Sequence, residues 1–206
     1  MRKIIVIAWI GIMTLGLIWS GRSQWAKGRQ QEIAGEIIRL HVIANSDSDG
    51  DQQLKLAVKE EIVTYLREKI QTTTDKAQAR EILSQELPEI ERRATDFMQK
   101  KGYSYTATAE LGNCYFPVKQ YGDMTFPAGE YEALRVKIGE SKGKNWWCVM
   151  YPSLCLVDGV CETVPEESKR KLQGVLSEEN YDSLLEENQD VTYSSKIAQW
   201  VSELWN

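Results

Sequence analysis

The sequence predicts an α+β fold. It would be a small antiparallel or mixed sheet in the order β-α-α-β-β-β with helices on one face, an N-terminal signal or membrane helix, and a C-terminal helix. Three observations carry this. Tyr103, Tyr105, Ala107, Ala109 and Leu111 alternate with Ser104, Thr106, Thr108 and Glu110, the period-2 pattern of a strand with one dry face and one wet one. Residues 51–70 and 75–101 hold apolar side chains at helical spacing. Trp146 to Tyr151 is a run of large β-favouring residues, too short and too aromatic for a surface helix.

With 206 residues the chain can fold one domain with appendages. A net charge of −5 argues against nucleic acid as a partner. Residues 162–190 hold nine acidic and three basic side chains, so the acidity belongs to one late segment and the body is near neutral.

Taken in order, Arg2 and Lys3 precede sixteen uncharged residues, Ile4 to Trp19, and Arg22 follows. That is an export pattern. Its length falls between a signal peptide and a spanning helix, which needs about 20 apolar residues and accepts about 17. No Ala-x-Ala precedes Gly21, which favours an anchor through residues 4–19 over a cleaved peptide. In either case the chain beyond residue 21 leaves the cytoplasm. Residues 22–35 are polar with scattered glycine and read as a tether. The folded domain is expected over 36–160.

Glu36 to Ala44 reads as a strand, with Ile38, Leu40, Val42 and Ala44 on one face and Arg39, His41 and Ile43 on the other. In the segment that follows, Asn45, Asp47, Asp49 and Gly50 match the start of a calcium loop, but Leu56 stands where a bidentate carboxylate is required. The same Ser and Asp residues cap the helix over 51–70, with Leu54, Val58, Ile62, Tyr65 and Leu66 on its stripe. Asp75 opens a second helix, which Pro88 interrupts or kinks and Lys101-Gly102 ends. Gly112 to Gly129 is an irregular excursion rich in aromatics. Glu130 to Ile138 is a strand, and Gly139 to Gly143 turns into the Trp146 strand. The acidic segment 161–190 reads as mobile or loosely helical. Ile197, Trp200, Val201 and Leu204 give a terminal amphipathic helix over 191–206.

Four cysteines in an exported domain allow disulfides. The spacing of Cys148 and Cys155 around a turn suits a bridge, leaving Cys114 with Cys161; free buried thiols are the alternative. No Cys-x-x-Cys occurs, and His41 is the single histidine, so no metal site is expected. Gly139-x3-Gly143-Lys144 is one residue short of a phosphate loop. Ser141-x-x-Lys144 lacks the companion motifs of a serine–lysine hydrolase. With no second histidine and no nucleophile elbow, no triad is expected. The reading is an exported domain without catalytic residues or cofactor.

Several stretches nevertheless resemble a known family. Ile38-Arg-Leu-His-Val-Ile-Ala-Asn-Ser-Asp-Ser48 leading into Asp51-Gln-x-Leu-Lys55 is similar to the opening of stage II sporulation protein R (SpoIIR) proteins. Tyr115-Phe-Pro117, Tyr121-Gly122 and Pro127-Ala-Gly-Glu-Tyr-Glu-Ala-Leu-Arg135 resemble the middle, and Ile138-Gly139, Gly143, Asn145-Trp-Trp-Cys-Val149, Pro152, Leu154-Cys155 and Val157-Asp158 the signature. The resemblance covers residues 36–158. It implies a protein of endospore formation, exported from the forespore into the space between the forespore and mother-cell membranes. There it would activate a membrane-embedded aspartic protease, SpoIIGA, and so cause processing of pro-sigma-E in the mother cell. On that reading Tyr115, Phe116, Pro117, Tyr121, Trp146 and Trp147 are the expected partner contacts, although these residues suit a core equally well. The rival readings are an exported cell-envelope hydrolase using His41 or Ser141 and Lys144, and a structural envelope protein.

Overall fold

The computed structural model describes residues 25–73, 75–152, 154 and 163–185. Four strands form a mixed sheet: β1 (Ile38–Ile43), β2 (Ala107–Phe116), β5 (Gly129–Ile138) and β6 (Asn145–Tyr151), in the order β2-β5-β1-β6. β1 runs parallel to β5 and antiparallel to β6, and β2 runs antiparallel to β5. The period-2 pattern of β1 divides its side chains between two differently covered faces. Leu40 and Val42 share a buried core with the apolar stripe of α2 (Asp49–Ile70), which includes Leu54, Val58, Ile62 and Leu66. α3 (Lys76–Lys100) packs beside α2 and β2 and buries Leu83, Ile90, Ala94 and Met98. Pro88 lies within α3 as one continuous helix. Its C-terminus closes in a Schellman pattern, with Tyr103 N donating to Met98 O at 3.0 Å and Gly102 N to Gln99 O at 2.9 Å.

On the other face of β1, Arg39 is covered by a small hairpin of β3 (Lys119–Tyr121) and β4 (Met124–Phe126), whose Tyr121, Met124 and Phe126 are buried. Against β4 packs α5 (Glu178–Leu185), preceded by α4 (Glu166–Val175). The stretch read as an irregular excursion is thus the second half of β2 plus this hairpin. The acidic segment contains two helices that bury Leu172, Tyr181 and Leu184. Helices are therefore not confined to α2 and α3, and the expected order omitted several elements.

Residues 25–36 form helix α1, where a tether was expected up to residue 35 and a strand from Glu36. Ile33 and the following Ile37 are fully buried. Gln30 Nε2 donates to Glu130 O at 2.9 Å, Arg29 pairs with Glu179 at 2.8 Å, and Asn180 Nδ2 donates to Glu32 at 3.0 Å. α1 thus ties the start of the domain to β5 and α5. Among the described residues no helix is long and apolar enough to cross a membrane. The expected export helix, the terminal helix over 191–206, Cys155 and Cys161 lie outside the described residues.

Candidate functional site

The motif residues after β1 meet the turn between β5 and β6. Ser48 caps α2, its Oγ accepting from Asp51 N at 3.3 Å. Asp51 in turn accepts from Ser46 Oγ at 2.5 Å and Asn45 Nδ2 at 2.8 Å. Burial pushes the Asp51 carboxyl upward, but the hydrogen bonds from Ser46, Asn45, Tyr105 and Ser48 outweigh it and hold the group below its usual value. Across the gap, Asn45 Oδ1 accepts from Glu140 N at 2.9 Å and Asp47 Oδ1 from Lys144 N at 2.6 Å. Gly143 N donates to Ala44 O at 2.9 Å and Lys142 N to Asn45 O at 3.1 Å, while Lys55 Nζ reaches Lys144 O at 3.1 Å. This clasp needs its glycines. Gly139 has φ +54, and a Cβ on Gly143 would sit 2.2 Å from Ser46 O.

The acidic run that resembled a calcium loop is therefore engaged by main-chain donors of the turn. Among the described residues no three His, Cys, Asp or Glu side chains converge on a metal position. Ser141 and Lys144 belong to the same turn. Ser141 N donates to Ile138 O at 3.0 Å, and no hydrogen bond joins the Ser141 and Lys144 side chains among the described residues.

Behind the clasp lies an aromatic cluster on the hairpin side of the sheet. Arg39 is fully buried, its guanidinium over the rings of Phe116 at 4.2 Å, Tyr131 at 4.9 Å, Phe126 at 5.4 Å and Tyr121 at 5.9 Å. It donates to Tyr121 Oη at 2.8 Å, and that hydroxyl donates to Trp147 O at 2.9 Å. Burial pushes the Tyr131 hydroxyl up to about 12. His41 stacks on Trp147 with ring centroids 3.8 Å apart. Burial lowers its pKa, the nearby Asn145 side chain opposes that, and Arg135 and Lys137 lower it further. Those two cations are themselves paired with Glu110.

The expected contact residues therefore divide. Phe116 is fully buried and Tyr121 is 6% exposed; both belong to the Arg39 cluster. Pro117, Trp146 and Trp147 are half-buried, Trp146 beneath the Lys59 ammonium at 5.0 Å. Tyr115 alone stands out, at 60% exposure. Arg39, Asn45, Gly139 and Gly143 carry the local geometry; the sequence places each of them in a strand, a motif or a turn, but gives no sign that Asn45 meets the turn or that Arg39 meets the hairpin. The glycine pair flanking a five-residue turn opposite an Asn-Ser-Asp run was the signal available. Among the cysteines, Cys148 is buried in β6 and is not a free thiol. Cys114 is free and half-buried in β2, with burial raising its pKa. This corrects the expected pairing of Cys114 with Cys161.

The family model for stage II sporulation protein R matches residues 34–161, which span β1 to β6 and the clasp. A protein of Bacillus subtilis (strain 168), "Stage II sporulation protein R", is 34% identical over 209 residues, covering 93% of this chain and 92% of its own length. No solved structure matches the chain. The matched region contains both halves of the clasp and the Arg39 cluster, and the chain belongs to the stage II sporulation protein R family.

Proposed function

We propose that this domain is an exported signalling ligand of endospore formation. It binds the membrane-embedded aspartic protease SpoIIGA from outside the mother-cell membrane and favours its active state, so that pro-sigma-E is processed. It acts through its shape and performs no chemistry. The observation that carries this reading is the clasp: the polar residues of the family motif are bound to one another and to main-chain amides, which makes a fixed surface. A ligand needs only a differential affinity for two states of its receptor. Export through residues 4–19 and a Cys148–Cys155 bridge fit a domain working outside the cytoplasm.

The test is co-expression of the full chain with the protease and its precursor in a non-sporulating cell. Processing is expected only when this chain is present. The variants His41→Phe, which keeps the ring stack, Ser141→Gly, which suits the positive φ of 52° there, and Lys144→Ala should process normally. Loss of processing in a folded one of these would favour the envelope hydrolase. A chain that leaves processing unchanged would return the structural envelope protein.

A further inference from the structure

The sheet ends on one side at β2, and only half of that edge is closed. Ala107 N donates to Thr95 Oγ1 at 3.0 Å and Ala109 N to Glu91 Oε1 at 2.8 Å, so side chains of α3 occupy the outward amides at the start of the strand. The ladder with β5 runs from Ala107 to Phe116 without a register break. Leu111, Asn113 and Tyr115 therefore direct their amides and carbonyls the same way as Ala107 and Ala109. Among the described residues nothing hydrogen-bonds to these outward groups. Asn113 and Tyr115 are exposed, and a Cβ on Gly112 would meet nothing within 4 Å.

Open edges in folded proteins are ordinarily blunted by charge, proline or a bulge. Here Leu111 to Val118 contains no charged residue, the ladder has no bulge, and Pro117 falls only after the strand has ended. We propose that the outer edge of β2 over residues 111–115 is a strand-docking site that takes an extended segment of another protein by main-chain hydrogen bonding. Three outward residues offer three donors and three acceptors. The uncharged neighbours select a segment rich in β-branched and aromatic residues, with a bulky side chain beside Gly112.

A second copy of this chain fits the edge less well. The open part is five residues, about 17 Å. α3 flanks one end and the Pro117 turn the other, so two folded copies meeting there would bury far less than the roughly 1,200 Å² of a stable interface. A single extended segment needs no more than the edge. Its modest affinity suits a ligand that biases an equilibrium. This inference rests on the ligand reading above and names the surface that it uses.

The experiment uses the full chain with the co-expressed protease and precursor, comparing wild type, Asn113→Pro, Asn113→Lys and, as a control on the exposed face of α3, Gln85→Lys. Proline at 113 removes an outward amide without touching the ladder to β5; lysine keeps the amide and places a charge at the edge. Processing should fall at least tenfold in both Asn113 variants and not in Gln85→Lys, with unfolding midpoints near wild type. If Asn113→Pro fails to fold, Asn113→Lys decides. A folded Asn113 variant that processes like wild type overturns the edge site and leaves the ligand reading standing. A wild-type chain that triggers no processing removes both. Hydrogen exchange on the purified chain covers the remaining occupant: slow exchange at Leu111, Asn113 and Tyr115 that grows with protein concentration would show the edge closing on a second copy, and would overturn the proposal.

Discussion

The Arg39 guanidinium lies over four aromatic rings and donates one side-chain hydrogen bond, to Tyr121. A buried charge held this way gains cation–π attraction, about 2 kcal/mol when desolvated, against a large desolvation penalty. Arg39→Met, which fills a similar volume, should therefore stay within about 1 kcal/mol of wild type, whereas Arg39→Ala should lose about 3–5 kcal/mol through the cavity it leaves. Urea unfolding followed by tryptophan fluorescence ranks the two. His41 gives a pH prediction. Its folded pKa lies below the ordinary 6.5 because of burial first, then Arg135 and Lys137. The unfolded chain therefore binds more protons between the folded value and 6.5. Stability contributed by this group is fully present above 6.5 and is lost as pH falls from there through the folded value. The urea midpoint should drop across that window, and His41→Phe should flatten this part of the profile. Neither role was legible in the strand pattern. Alternation put Arg39 and His41 on a mixed face, but it carries no information about the hairpin that covers Arg39 from 82 residues away.

The clasp between the β1–α2 loop and the β5–β6 turn is where local rules and tertiary contacts agree. The Ser48 cap, the start of α2 and the continuous apolar period of α3 were all readable, because capping and helical spacing are local. The partner of the Asn45–Asp51 run was not readable, because its donors come from residues 140–144. Gly143→Ala would drive a methyl group against the Ser46 carbonyl, a backbone atom that cannot swing aside. The loss should be about 2 kcal/mol or more, with faster hydrogen exchange at Glu140 and Lys144. The excursion from Gly112 to Gly129 was missed for a different reason. β3 and β4 are three residues each, too short for a period to register, and Gly112 and Asn113 break the alternation of β2.

Across the whole molecule, α1 joins the N-terminal side of the domain to its last described helix through Arg29–Glu179 and Asn180–Glu32. Ile33→Ala should destabilise the domain by about 2–4 kcal/mol, and thermal unfolding should remain one transition if α1 is part of the same cooperative unit. Polar composition hid this helix. Apart from Trp25, Ala26 and Ala34, its apolar signal was Ile33 and the adjoining Ile37, four residues apart, just as nine acids hid the buried Leu172 and Leu184 of α4 and α5. The folded α1 also sets a leash. With residues 25–36 packed into the domain, at most five residues, 20–24, separate it from the apolar stretch 4–19, a reach of about 18 Å when fully extended. Were residues 4–19 held in a bilayer, as proposed above, the near side of the domain would stay within about that distance of it, and contact across a gap wider than the leash and the domain together would require the leash to be cut.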